Sequence, residues 1–146
     1  MRNSNYLFSS LLILMGFIAC KKSDNPAAPS NARTVANFSG NYSLTALLAN
    51  YGGYSFNVYD TLPDCQKDNI ITLNSNFTAD FVDAGTKCVP PSDSLSTWSL
   101  SANTDTIYLA GNAGLIKSWD GKTLILTSNE SINGYAVVAT TTLTKK

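Results

Sequence analysis

Histidine is absent from the 146 residues, and charged residues make up only 14% of them. Without histidine, a serine or cysteine nucleophile lacks its usual general base, and zinc lacks one of its commonest ligands. Lysine and arginine together number 10 against 10 acids, with no basic patch, which argues against nucleic acid as a partner. The acids are scattered: no spacing singles out a pair for glycoside hydrolysis, and no Asp-rich loop alternates oxygen ligands for calcium. Ser-x-x-Lys does not occur in residues 38–146. These gaps point away from an enzyme, and nothing in the residues calls for a metal or a cofactor.

Long apolar runs are also scarce, and the exception lies at the start. Arg2 supplies a positive charge, residues 6–19 are almost wholly apolar, and the small Ala19 precedes Cys20. The run is shorter than the ~20 residues of a membrane-spanning helix. It reads as a removable signal over residues 1–19. Phe17-Ile18-Ala19-Cys20 resembles the bacterial lipobox, with Phe17 where leucine is usual. That resemblance implies a lipid on the Cys20 thiol, and each buried acyl CH₂ contributes ~0.8 kcal/mol to membrane anchoring. Residues 21–37 are polar, hold two prolines and show no hydrophobic period, so 20–37 is expected to be a lipidated tether. Lys21 stands where an aspartate would favour inner-membrane retention under the enteric sorting rule, which predicts the outer membrane. The single acid of Lys21-Lys22-Ser23-Asp24 favours the periplasmic face and leaves the cell surface open.

The remainder, residues 38–146, is enough for one core, and its six lysines against nine acids leave it net negative. With Cys20 set aside, Cys65 and Cys88 form an even pair in an exported chain and predict a disulfide, contributing roughly 3 kcal/mol. The alternative, free thiols or half a metal site, finds no further ligands.

No helical period of useful length follows Cys20. Short apolar-polar alternations bounded by turn residues predict an all-β domain. Phe38, Gly40, Tyr42 and Leu44 are expected on one face of a first strand, and Ile71 with Leu73 on another. Phe77, Ala79 and Phe81 follow Asn74-Ser75-Asn76, a tight connection. Trp98 with Leu100, Ile107 with Leu109, Leu115 with Trp119, and Leu124 with Leu126 mark later core faces. Asp120-Gly121 and Asn133-Gly134 are expected hairpin turns of type I′. Tyr135, Val137, Ala139, Thr141 and Leu143 alternate along the last strand. Residues 47–59 fit either a strand pair around Gly52-Gly53 or a loop over a barrel mouth. Eight or nine sequential antiparallel strands in so short a domain must close on themselves, as a meandering barrel or a barrel-like sandwich.

Phe38-Ser39-Gly40-Asn41-Tyr42, Cys65-Gln66-Lys67-Asp68-Asn69, Phe77, Cys88, Thr97-Trp98-Ser99-Leu100 and the pair Leu124 and Leu126 resemble the lipocalin-like lipoproteins of Gram-negative bacteria. Tyr42 stands where that family's Gly-x-Trp opening has tryptophan. The resemblance implies a small up-and-down β-barrel of about eight strands, anchored by lipid and built on residues 38–146.

Tyr42, Phe77, Phe81, Trp98, Trp119 and Tyr135 are then candidates to line a cavity for a small apolar or amphipathic ligand, or simply to fill the core. The competing expectation is a solid barrel that meets an envelope protein through its loops. Asp60-Thr61-Leu62, Asp93-Ser94-Leu95 and Asp105-Thr106-Ile107 resemble the O-glycosylation acceptor of some Gram-negative lineages, which makes Thr61, Ser94 and Thr106 candidate sugar sites, unless Asp-Ser/Thr merely begins strands.

Overall fold

The computed structural model describes residues 30–146, so the expected signal, Cys20 and the first part of the tether lie outside the described residues. The alternating segments form nine strands: β1 (Gly40–Tyr51), β2 (Tyr54–Asn57), β3 (Ile70–Leu73), β4 (Thr78–Val82), β5 (Ser94–Leu100), β6 (Thr106–Leu109), β7 (Asn112–Trp119), β8 (Thr123–Ile132) and β9 (Tyr135–Lys145). From β3 onward each strand pairs antiparallel with the next. β9 returns to β1, with Leu44 opposite Leu143 and Ala49 opposite Ala139, and so closes an eight-stranded barrel. Closure satisfies the edge amides that an open sheet of this size would expose. The all-β, up-and-down barrel expected from the sequence is the fold observed.

β2 is the extra strand. It folds back on β1 around Gly52 and Gly53, whose φ angles of 57° and 84° suit glycine, and pairs Ala49 with Phe56. Residues 47–59 are therefore the strand pair and not the loop. Along one edge β1 holds β3 with its first residues and β2 with its last, while its other edge holds β9.

Two short helices, α1 (Val35–Phe38) and α2 (Asp64–Lys67), flank the strands. α1 corrects two expectations. Phe38 belongs to this helical turn and not to the first strand, and Val35, assigned to the tether, packs against the core. One turn is too short to show a helical period in sequence. What fixes it is the Thr34 hydroxyl, which accepts from the Asn37 amide at 3.2 Å.

α1 closes one end of the barrel. Phe38, Tyr42, Leu73, Trp98, Trp119 and Leu124 are buried there. The Phe38 and Trp119 rings lie 5.0 Å apart, and the Tyr42 hydroxyl donates to Phe38 O at 2.7 Å. Burial pushes the Tyr42 hydroxyl pKa upward, keeping it a neutral donor.

Three further expectations change with the backbone. Leu115 and Trp119 do not share a face: a bulge between Ile116 and Ser118 resets the alternation, so Gly114, Ile116 and Trp119 point inward and Leu115 outward. Phe77 is not in line with Ala79 and Phe81, because it ends the turn from Asn74 with a φ of 68° and precedes β4. Asn133-Gly134 is a two-residue turn with both φ values positive, as type I′ requires. At Asp120-Gly121 only Gly121 has positive φ. Asp120 instead accepts the Lys122 and Thr123 amides on its carboxylate, at 2.8 and 2.6 Å, which holds its pKa below the ordinary value.

Candidate functional site

The two ends of the barrel differ. The end covered by α1 is filled. The opposite end opens onto a cavity of about 430 Å³, within the range usual for small-molecule sites. Its walls are largely apolar, with Leu44 from β1, Ile71 from β3, Phe81 from β4, Leu109 from β6, Leu126 from β8 and Leu143 from β9. Gly114 also faces it, and a Cβ there would meet Leu126 at 3.3 Å and Ile107 at 3.6 Å, so the missing side chain gives the wall room. Polar side chains join the lining from Asn112, Ser128, Glu130 and Thr141.

The wall is incomplete on one side. Pairing of β7 with β8 stops at Leu115 opposite Thr127, and residues 128–130 face Asn112 and Ala113 across a gap. β8 and β9 continue past this point, and together with the ends of β1 and β2 they project beyond the barrel. The inner face of this projection is aromatic. Tyr51, Phe56, Ile132, Tyr135 and Val137 line a groove of about 220 Å³, and the rings of Tyr51 and Tyr135 meet edge-on at 5.2 Å.

Of the six aromatic residues singled out from the sequence, only Phe81 lines the cavity. Tyr42, Trp98 and Trp119 lie in the filled end, where Trp98 Nε1 donates to Asn74 O at 2.8 Å. Phe77 is 46% exposed and packs on the outer part of Trp98 at 5.9 Å, because its left-handed backbone turns it away from the inner row. Tyr135 is 57% exposed at the tip of the β8–β9 hairpin. Leu109 and Thr141 fall on rows that the alternation in the sequence also marks, whereas Ser128 and Glu130 are not singled out by it. On β8 the inward row passes from Leu126 to Ser128 and Glu130, and the loss of apolar character hides its continuity.

Cys65 and Cys88 form the expected disulfide, tying α2 to the β4–β5 loop beside the open end. The Asp68 carboxylate, at the end of α2, accepts the Thr86 amide at 2.7 Å and so ties α2 to the β4–β5 loop a second time. Among the acceptor candidates, Thr61 and Ser94 are exposed, whereas Thr106 is half-buried and its hydroxyl donates to Asp105 at 2.9 Å. Among the described residues, no three metal-ligating side chains converge.

An eight-stranded meander with one filled and one open end is the form of a small ligand-binding barrel, and the sequence model of the lipocalin-like domain matches residues 38–144. The chain belongs to the lipocalin-like domain family. No curated protein and no solved structure matches it. The matched span begins at Phe38, so the family's domain includes the residue by which α1 seals the barrel. A lipocalin-like barrel is a ligand-binding type of fold, and here the volume available to a ligand lies at the end opposite α1.

Proposed function

We propose that this lipocalin-like domain is a non-enzymatic binding protein, tethered by lipid to the outer membrane, that takes a small apolar or amphipathic molecule into the open end of its barrel. The observation that carries this is the cavity: a chamber of about 430 Å³ lined mainly by aliphatic side chains and Phe81, with a few polar side chains and a lateral opening. An apolar molecule entering it leaves water at roughly 25 cal/mol per Å² of surface buried. The tether leaves from the opposite end, where Ser30 leads into α1. Arg33, Lys122, Lys145 and Lys146 also gather there, held by contacts such as Arg33 to Ile116 O and Lys145 Nζ to Asn37 O. That end is suited to rest on an anionic lipid surface, leaving the mouth turned away.

The test is binding of a neutral naphthylamine fluorophore to the protein and to its Thr141→Trp variant. Thr141 sits on the inner row of β9 opposite Leu126, so an indole there occupies the chamber. Saturable binding by the native chain and at least about a tenfold loss in the variant are expected, with unchanged far-ultraviolet dichroism. A native chain that takes up no fluorophore, or a variant that binds equally well, overturns the proposal. One observation favours the second reading, a barrel that meets an envelope protein: Tyr54, Phe56, Ile132 and Tyr135 are each more than half exposed on the projecting strands.

A further inference from the structure

We infer that the ligand carries positive charge: an aliphatic chain held in the barrel, with an ammonium head at Glu130. This rests on the cavity being the binding site. Among the described residues, Glu130 is the one ionisable side chain lining the chamber, and it also lines the side opening between β7 and β8. On the inner row of β8 it stands between Ser128, at the cavity rim, and Ile132, in the aromatic groove. Val137 lies directly across from it on β9, and Tyr135 lies diagonally on the same face. Tyr51 meets that tyrosine edge-on. A carboxylate on the same face as this tyrosine pair, at the exposed edge of the cavity, attracts a cation by charge, and the rings' negative faces add to that attraction for a head group lying between them. It repels a carboxylate head for the same reason.

The surrounding charge has the same sign. The loops around the mouth contribute Asp60, Asp64, Asp68, Asp83 and Asp93 against two lysines. Lys67 pairs with Asp64 at 3.5 Å, and Lys87 donates to Asp83 O, so neither is committed to Glu130. Arg33, Lys122, Lys145 and Lys146 lie at the other end of the barrel. The arrangement therefore selects against fatty acids, the most obvious apolar-chain ligands, and in favour of amine or quaternary ammonium heads. The inner row of β9 from Leu143 to Tyr135 spans roughly 27 Å at about 3.4 Å per residue, a path that suits a single extended chain ending near the tyrosines.

The experiment is competition between the neutral fluorophore and three molecules of one chain length, dodecyltrimethylammonium, dodecanol and dodecanoate, each kept below micelle formation, on the protein and on Glu130→Gln. The ammonium compound is expected to bind about tenfold more tightly than the carboxylate. In E130Q the ratio is expected to fall to within about twofold with dodecanol binding unchanged, and in the native chain salt is expected to erode it. Dodecanoate binding as well as the ammonium compound, or a ratio that survives Glu130→Gln, overturns the inference while leaving the cavity in place. Failure of the fluorophore and of all three chains to bind overturns the cavity as a site, and the inference with it.

Discussion

Asp83 is fully buried at the end of β4, and its carboxylate accepts the amides of Cys88 at 3.1 Å and Ser92 at 3.2 Å. Asp93 returns a bond to the Asp83 amide at 2.9 Å, so one pair of acids organises the loop beside the cavity. A buried amide left without an acceptor costs about 1–3 kcal/mol, so Asp83→Ala is expected to destabilise the chain by about 3 kcal/mol in urea unfolding. Asp83→Asn, which keeps an acceptor oxygen, is expected to lose less. Nothing in the sequence distinguishes this aspartate from the other acids, because its burial follows from a loop closing over it. Phe77 shows the converse: its neighbours Ala79 and Phe81 make it look like a core residue, and a single φ angle places it outside.

Among the elements, the β4–β5 loop and α2 lack strand pairing and depend on the disulfide between Cys65 and Cys88, 23 residues apart. Replacing both cysteines by serine is expected to lower stability by about 3 kcal/mol, read as a drop in the urea midpoint with little change in slope. Alternation in the sequence places β3, β5, β6 and the first half of β8 with their inward rows, because a pleated strand repeats every second residue. It fails on β7, where the bulge beside Lys117 inserts one residue and reverses the faces of everything before it. Ile116, on the outward row if Leu115 and Trp119 share the inner one, is 4% exposed, and Leu115 is 52% exposed. The bulge also bends the strand that lines the side opening, so the local irregularity bears on access to the site.

Across the molecule, the two ends of the barrel have separate tasks. The end under α1 is packed by Phe38, Tyr42, Trp98 and Trp119 and supplies stability, and the open end supplies volume. Phe38→Ala is expected to cost about 3–5 kcal/mol through the void left against Trp119. Fluorophore binding at the mouth, measured under conditions where the variant remains folded, is expected to stay within about twofold of the native value. Loss of binding in step with stability would show that the ends are coupled. Charge follows the same division, with Arg33, Lys122, Lys145 and Lys146 gathered at the packed end and Glu130 at the rim of the other.

The sequence by itself determined the all-β class, the disulfide, the turn at Asn133-Gly134 and the likeness to the lipocalin-like family, and left residues 47–59 open between a strand pair and a loop. What it determined depends on residues close along the chain or on a pattern repeated within one strand. Only the tertiary structure decided which end of the barrel is empty. Trp98 and Trp119 are the largest apolar side chains, and large side chains fill space, so they mark the packed end. The cavity is made by what is small or polar on three different strands: Gly114 on β7, Ser128 and Glu130 on β8, and Thr141 on β9. Their meeting depends on the register between these strands, and on a bulge and a missing pairing that no local pattern announces.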